Sequence, residues 1–290
     1  MVIAFDTFSP FSGLSVSGGA RAARVPGIAF RRRGGGFLAV ETRPAAPRLA
    51  LLVPAYFYPD GAAGLRFWDA LIAAGSPRVP LVIIANPASG PGASPVAAYR
   101  NVIGRAAARP GIIVVGYVAT GYGKRPAAAV RADITSWRRF YPGVRGIFFD
   151  EQASGVERVG HYAALAAVAR AIIPNALLVS NPGVVCAPDY LKAATGKLSH
   201  IADVFCIFEN RAGFDRFLPP DWTQAHAPDR FAALAYDVRG ASAMRRLVEH
   251  AVRRRIGFVY VTDDGADGNP WDSLPGYWAA LVAAVRRVNG

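Results

Sequence analysis

The stretch that decides the fold is GIFFDE, Gly146–Glu151, in which four residues suited to a buried strand run directly into two adjacent carboxylates. Asp and Glu are seldom buried without a partner, and neighbouring carboxylates repel each other. A core strand that ends on such a pair is typical of a strand whose carboxyl end leaves the core and enters a cleft. The stretch therefore predicts a buried parallel strand with polar chemistry at its C-terminal end.

The same pattern recurs along the chain from about residue 48. Continuous apolar runs indicate strands that are covered on both faces. Eight such runs occur, at Leu51–Tyr56, Leu81–Asn86, Ile112–Val118, Gly146–Phe149, Ala176–Asn181, Asp203–Glu209, Phe231–Tyr236 and Gly257–Thr262. Stretches of helical spacing lie between them, at Leu65–Ala74, Val96–Ala108, Ala127–Phe140, Val156–Ile172, Tyr190–Leu198, Ala241–Arg254 and Tyr277–Val288. Eight strands that alternate with seven or eight helices predict an α/β fold, a single (β/α)8 TIM-type barrel over residues 48–290, with a doubly wound open sheet as the alternative.

Residues 1–47 differ from the rest in composition. They show little periodicity and contain the segments GG, RRRGGG and RPAAP, which favours a poorly ordered, irregular Arg/Gly-rich arm. The net charge of +13 comes from 30 Arg and 3 Lys against 20 acidic residues. Because the arginines are scattered, with tight clusters only at residues 31–33 and 253–255, we interpret this charge as solvated surface and expect no nucleic-acid partner. Binding of an anionic polymer through the arm is the alternative.

The sequence places few limits on location and assembly. No apolar run reaches the roughly 20 residues of a membrane helix, so no membrane span is expected. The first twenty residues lack a basic start followed by a compact apolar block, which makes them a poor signal peptide. Cys186 and Cys206 have neither metal-site spacing nor the pattern of a disulfide framework, and the sequence leaves open whether they pair. The oligomeric state is likewise open.

Aromatic, amide and acidic residues concentrate where the predicted strands end. In a barrel these ends share one rim and build the active site. Aromatic rings that stack on sugars, together with amides and acids that hold hydroxyl groups, are typical of a carbohydrate site. The candidate sugar contacts are Tyr56, Asn86, Tyr117, Tyr122, Asn181, Tyr236 and Trp271.

The carboxylates at this rim fit the cleavage of glycosidic bonds, which usually needs two carboxyl groups across one bond. Asp150 or Glu151 ends the fourth run and Glu209 ends the sixth, so the two ends can face each other across the barrel mouth. The structural alternative is that Glu209 pairs with an arginine and the acidic pair caps a loop. No lysine or histidine ends a strand and no nucleotide-binding glycine motif is present, so no metal or organic cofactor is expected.

Five segments follow one another along the chain: NPASGPG (residues 86–92), GYVATGYGKR (116–125), GIFFDE (146–151), NPG (181–183) and FEN (208–210). As an ordered set they resemble the spherulin-4-like (spherulation-specific family 4) glycoside hydrolases. The resemblance implies a (β/α)8 barrel, an extracellular or cell-surface location, and retaining, endo-acting hydrolysis of galactosaminogalactan, an α-1,4-linked polysaccharide that contains N-acetylgalactosamine. The family's Asp-Glu pair and later Glu fall on Asp150, Glu151 and Glu209.

The three acids receive separate predicted roles. Glu209 follows the apolar residues 205–208 and is the predicted general acid/base, because an apolar setting and a nearby negative charge raise a carboxyl pKa. Asp150 is the leading candidate nucleophile and Glu151 an assisting carboxylate. Strand alternation sends Asp150 and Glu151 to opposite sides unless the backbone turns, so the sequence leaves open which one faces the sugar. A non-catalytic carbohydrate-binding barrel is the alternative function.

Overall fold

The computed structural model describes residues 28–33, 36–41, 49–192, 201–265 and 267–290 of the 290-residue chain. The chain divides into two units, residues 1–46 and residues 47–290. In the first unit, β1 (Ile28–Arg33) and β2 (Gly36–Glu41) form a two-stranded antiparallel sheet. The sequence predicted an irregular arm and no strands in this part of the chain. The first strand was missed because it ends in three arginines and so lacks the alternating pattern of a half-buried strand.

The second unit is a closed barrel of eight parallel strands. The strands are β3 (Ala50–Ala55), β4 (Leu81–Ala85), β5 (Ile112–Ala119), β6 (Gly146–Asp150), β7 (Leu177–Ser180), β8 (Val204–Asn210), β9 (Phe231–Ala235) and β10 (Phe258–Val261). Each strand pairs with the next one along the chain, and β10 closes the barrel against β3. This topology confirms the predicted (β/α)8 barrel and excludes the open sheet.

Six α-helices alternate with these strands in the described part of the chain. They are α1 (Gly61–Ala74), α2 (Ala97–Ala107), α3 (Ala127–Phe140), α4 (Val159–Ile172), α5 (Ala241–Arg253) and α6 (Trp278–Val288). Between β8 and β9, where the sequence analysis identified no helical stretch, the chain forms three short 3-10 turns. Most of the predicted helix Tyr190–Leu198 falls on residues 193–200, outside the described residues.

Helix α3 illustrates why these segments are helical and how they support the rim. Val130, Ile134 and Trp137 recur every three to four residues, so they lie on one face, and all three are fully buried. The indole Nε1 of Trp137 also donates a hydrogen bond to the carbonyl of Tyr117 at 2.8 Å. The helix therefore anchors the part of β5 that carries one of the candidate site residues.

The barrel strands are buried along most of their length, and every residue of β3, β4 and β9 is buried. This agrees with the continuous apolar runs in the sequence, since helices cover one face of each strand and the barrel interior covers the other. Asn289, after α6, accepts a hydrogen bond from the Leu49 amide and donates to the Leu49 carbonyl, which joins the two ends of this unit. No helix in the described ranges combines the length and apolar character needed to cross a membrane.

Candidate active site

The structure brings Asp150 and Glu209 together through one amide group. Nδ2 of Asn181, the first residue after β7, donates to Oδ1 of Asp150 at 2.8 Å and to Oε2 of Glu209 at 2.6 Å. The two carboxylate oxygens can therefore be no further apart than the sum of these distances, 5.4 Å. Oδ1 of Asn181 accepts from the amide of Gly183 at 3.0 Å, which requires that the NH2 group faces the two acids.

Asp150 lies in a polar corner at the end of β6. The hydroxyl of Tyr117 hydrogen bonds to its carboxyl group, as does the Asn181 amide. The ring of Tyr117 in turn packs edge-to-face against Tyr56, with centroids 5.8 Å apart. Burial raises the pKa of Asp150 above its usual value, although these hydrogen bonds and one from the Glu151 backbone oppose the rise. The surroundings of Asp150 thus supply several donors that stabilise its charged form.

Glu209 reaches the cleft because β8 contains an irregularity. In the register with β9, Cys206 lies opposite Ala232. Glu209 lies opposite Leu234, two residues further along β9, because the register shifts between Cys206 and Phe208. Residues two apart on β9 share a face, so Cys206 and Glu209 also share one. Such a bulge changes the direction in which a side chain points.

The carboxyl group of Glu209 receives fewer hydrogen bonds than that of Asp150. Trp271, in the loop after β10, hydrogen bonds to it, and the Trp271 ring packs against Tyr236 and Tyr260 with centroids 5.7 and 5.8 Å away. Burial raises the pKa of Glu209, the negative charge of Asp150 raises it further, and the bonds from Asn181 and Trp271 oppose this. The arrangement favours a carboxyl that keeps its proton while Asp150 is charged.

Glu151 points away from this pair. Its backbone has φ of +52°, in the left-handed region, so the chain turns directly after Asp150. Its Oε2 accepts from the backbone amide of Gly121 at 3.1 Å, and its carbonyl accepts from Tyr122 at 2.7 Å. The buried hydroxyl of Thr120 contacts the same turn, at 2.7 Å from the Glu151 carbonyl. Glu151 therefore joins the β5 and β6 loops, and its charge acts on Asp150 from the side.

The remaining candidate sugar contacts occupy different positions. Tyr56 lies close to both acids. Burial raises the pKa of Tyr56 well above its usual value, and the charges of Asp150 and Glu209 raise it further. Tyr122 is 58% exposed and available to a ligand. The side chain of Asn86 accepts from the Gly90 amide at 2.8 Å and so holds its own loop.

Both cysteines are buried free thiols. Cys206 donates to the Phe208 carbonyl at 3.3 Å, across the irregularity in β8. The disulfide that the sequence left open is therefore absent between Cys186 and Cys206, which are both within the described residues.

Two supporting groups were not predicted from the sequence. The first is the backbone amide of Gly121, which donates to the carboxylate of Glu151. The second is the hydroxyl of Tyr162 on α4, which shares a hydrogen bond with the hydroxyl of Thr120 at 2.7 Å and accepts one from the Ala153 amide at 3.0 Å. The glycines of the segment GYG, residues 121–123, were the available signal, because φ is positive at all three positions.

The fold and this pair of acids define a carbohydrate-active (β/α)8 barrel of the glycoside hydrolase type. The model of spherulation-specific family 4 matches residues 50–285, and the chain belongs to that family. This confirms the resemblance carried by the five sequence segments.

Two relatives resemble the chain at the same level of identity. Spherulin-4 of Physarum polycephalum is 28% identical over 249 residues, which cover 86% of this chain and 73% of that protein. The crystal structure of Aspergillus clavatus Sph3 in complex with GalNAc has 28% identity and a TM-score of 0.67, and the match covers 83% of this chain and 98% of the other. An endo-1,4-beta-mannanase from Eisenia fetida has 9% identity and a TM-score of 0.51 over 91% of this chain and 96% of its own, a likeness of fold alone.

Proposed function

We propose that this protein hydrolyses a polysaccharide that contains N-acetylgalactosamine, by an endo-acting, retaining mechanism in which Asp150 and Glu209 are the two reacting carboxyl groups. The observation that carries the proposal is the Asn181 amide that binds both acids and keeps their nearest oxygens within 5.4 Å. Retaining glycosidases hold their carboxyl groups about 5–5.5 Å apart and inverting ones about 6.5–9.5 Å apart. The 5.4 Å limit applies to the nearest oxygens of the pair and is compatible with the retaining spacing.

Asp150 is the proposed nucleophile. Tyr117 and Asn181 donate hydrogen bonds to it, and bonds to the charged form of a carboxyl favour that form. In the first step, one oxygen of the Asp150 carboxylate attacks the anomeric carbon and forms an ester while the glycosidic C–O bond breaks. Tyr117 and Asn181 hold that carboxylate in one orientation throughout.

Glu209 is the proposed general acid and then general base. It gives its proton to the departing glycosidic oxygen in the first step. The resulting Glu209 carboxylate then removes a proton from water, whose oxygen attacks the anomeric carbon and releases Asp150. Burial and the charge of Asp150 both raise the Glu209 pKa, which suits a group that must start the cycle protonated. When Asp150 is consumed as an ester, its charge is lost and Glu209 becomes a better-stabilised anion.

Glu151 assists without reacting. Its bond to the Gly121 amide directs its carboxylate away from Glu209, and its negative charge raises the pKa of Asp150. We expect its replacement to weaken catalysis by disturbing the turn that orients Asp150.

The nature of the sugar is supported by the relative with bound GalNAc and by the rings at the rim. Sph3 was crystallised with GalNAc and matches this chain over 83% of its length. Tyr56, Tyr117, Tyr236 and Trp271 form two ring pairs beside the acid pair, and aromatic rings are common in sugar sites.

A glycan panel tests the proposal directly. Galactosaminogalactan should release reducing ends with the wild-type protein and at least about 10³-fold more slowly with Asp150→Asn or Glu209→Gln, because each variant removes a reacting group. NMR of the first product should show the α-anomer, since the linkage is α and configuration is kept. Binding without release of reducing ends would indicate the non-catalytic carbohydrate-binding barrel, and a β-anomer would exclude retention.

A further inference from the structure

A groove between the loop after β8 and helix α5 collects arginine side chains. Its volume is about 740 Å³. Arg211 and Arg216 line it from the loop, and Arg239, Arg246 and Arg253 line it from the side of α5. Neither the proposed reaction nor the barrel packing uses these five residues. We call this the arginine groove.

The arginines on the helix side follow a regular spacing. Arg246 and Arg253 are seven residues apart, which is close to two helical turns and places them on the same face about 10 Å apart along the axis. Arg239 precedes the first residue of α5 by two positions. The groove therefore presents a row of cations along its length rather than a single charge.

Two of these arginines have acidic neighbours in the groove. Arg239 contacts Asp237 at 3.4 Å, and Arg253 contacts Glu249 at 3.9 Å. Both pairs are long and involve exposed arginines, so each neutralises its partner only in part.

The other three arginines are available to an external anion. Within the described residues, Arg211, Arg216 and Arg246 are exposed and form no ion pair. Asp215 lines the groove as well but pairs with none of them at 4 Å or less. Guanidinium groups bind carboxylates in a bidentate manner, which gives such a site geometric selectivity.

The position and the lining of the groove bear on what kind of anion it receives. Asn210, which follows the proposed acid Glu209 on β8, lines the groove, so the groove adjoins the C-terminal end of the strand that carries this acid. Single-stranded nucleic acid would need exposed rings on which bases stack. The two rings in the groove wall, Phe214 and His250, are only 2% and 4% exposed, which argues against that partner.

We propose that the arginine groove binds the carboxylates of an acidic polysaccharide segment, of the kind built from uronic acids, next to the catalytic cleft. The proposal rests on the proposed function only in taking the bound chain to be a polysaccharide. In this proposal the arginines of the groove bind the anionic chain, and the arginines of residues 1–47 take no part.

Equilibrium binding of a fluorescent galacturonate oligosaccharide tests the proposal, with its methyl ester as the matched neutral probe. We expect binding of the acid form to weaken at least about tenfold in Arg211→Gln/Arg216→Gln/Arg246→Gln, since three exposed charge contacts are removed. A control triple, Arg66→Gln/Arg131→Gln/Arg286→Gln, removes the same charge from other exposed positions and should keep the wild-type affinity. The single variant Arg246→Glu should shift affinity in the same direction as the groove triple.

Several outcomes would overturn the proposal. These are no binding of the acid form, equal binding of the methyl ester, or equal losses in the groove and control triples. A single-stranded DNA oligonucleotide of equal charge that competes as strongly would replace it with a nucleic-acid site. The assay measures binding and not bond cleavage, so the absence of galacturonate binding would overturn the arginine-groove proposal and leave the hydrolase proposal intact. A protein that binds galacturonate but cleaves no polysaccharide would overturn the hydrolase proposal and leave the arginine-groove proposal intact.

Discussion

Replacement of Asn181 by Ala removes the one amide that holds both carboxyl groups of the proposed catalytic pair. The lost bonds, at 2.8 and 2.6 Å, are made to ionisable acids in a buried setting. Hydrogen bonds to charged groups contribute about 1.5–3 kcal/mol each. Tyr117 and Trp271 still hold one acid each, so we expect about 3–4 kcal/mol of the combined effect to reach the transition state, which lowers kcat by about 10²–10³-fold.

The pH profile of the same variant separates positioning from general damage. The Asn181 bonds lower the pKa of Asp150 and of Glu209, so their removal raises both. Activity appears as Asp150 loses its proton and disappears as Glu209 loses its own. Both limbs of the kcat/KM profile should therefore move to higher pH in Asn181→Ala. Loss of packing alone would reduce the rate without moving either limb.

The assay is reducing-end release from galactosaminogalactan between about pH 3 and pH 9. This range includes the pKa of ordinary carboxyl groups and that of carboxyl groups whose pKa is raised. Asn101→Ala, at an exposed position of α2, is the matched control and should reproduce the wild-type profile. A decrease in kcat of less than about threefold together with unmoved limbs would refute the role given to Asn181. Thermal melts of both variants establish that the barrel remains folded.

Three further changes give independent tests. Trp271→Phe keeps a ring but removes a donor that lowers the Glu209 pKa, so the alkaline limb alone should move to higher pH; a shift of the acidic limb instead would contradict this. Glu209→Gln should raise Tm more at pH 7 than at pH 4, because a carboxyl whose folded pKa is raised stabilises the protein below its unfolded pKa of about 4.3 and loses that contribution as pH rises through the folded pKa. A Tm change of about 2–4 °C is expected per kcal/mol. An equal Tm change at both pH values would count against burial of the charge. Gly183→Ala should lower the free energy of unfolding in urea by about 1–2 kcal/mol, because φ at this position is +67°. Gly160→Ala in α4, with open space around the added carbon, should raise it by up to about 1 kcal/mol. Equal effects of the two variants would contradict the backbone argument.

The barrel could be predicted from the sequence because its strands are covered on both faces. Gly146–Asp150 is read as a strand from four adjacent residues, and the acid that follows marks where the strand leaves the core. The bounds of α3 also follow directly from the spacing of its buried residues. The small sheet β1–β2 could not be predicted, since its arginine-rich strand has no periodic apolar pattern.

The candidate site was predictable in its residue types but less so in its geometry. Strict alternation along β8 places Glu209 on the face of Phe205 and Ile207, and only the register shift places it with Cys206. The left-handed backbone of Glu151, which separates it from Asp150, is equally invisible in the sequence, because Glu, unlike Gly, Asn or Asp, adopts that conformation rarely and carries no local signal for it.

The bridging role of Asn181 depends on three successive strands that meet at the rim. A sequence pattern can place Asn181 at a strand end, but it cannot measure the distances to side chains on β6 and β8. The same holds for Trp271, which reaches Glu209 from a loop after the last strand. Contacts of this kind arise from barrel closure, which the local sequence does not encode residue by residue.

The most direct measurement of the central claim is the trapping of the covalent intermediate. A fluorinated N-acetylgalactosaminyl fluoride reacts in the first step but hydrolyses slowly in the second, so the sugar stays on the nucleophile. Peptide mass spectrometry should then find one sugar per chain, on Asp150, and Asp150→Asn should remain unlabelled. A sugar on Glu209 or Glu151 would reverse the assigned roles, and continued turnover of the natural polysaccharide without any labelled peptide would contradict the covalent mechanism.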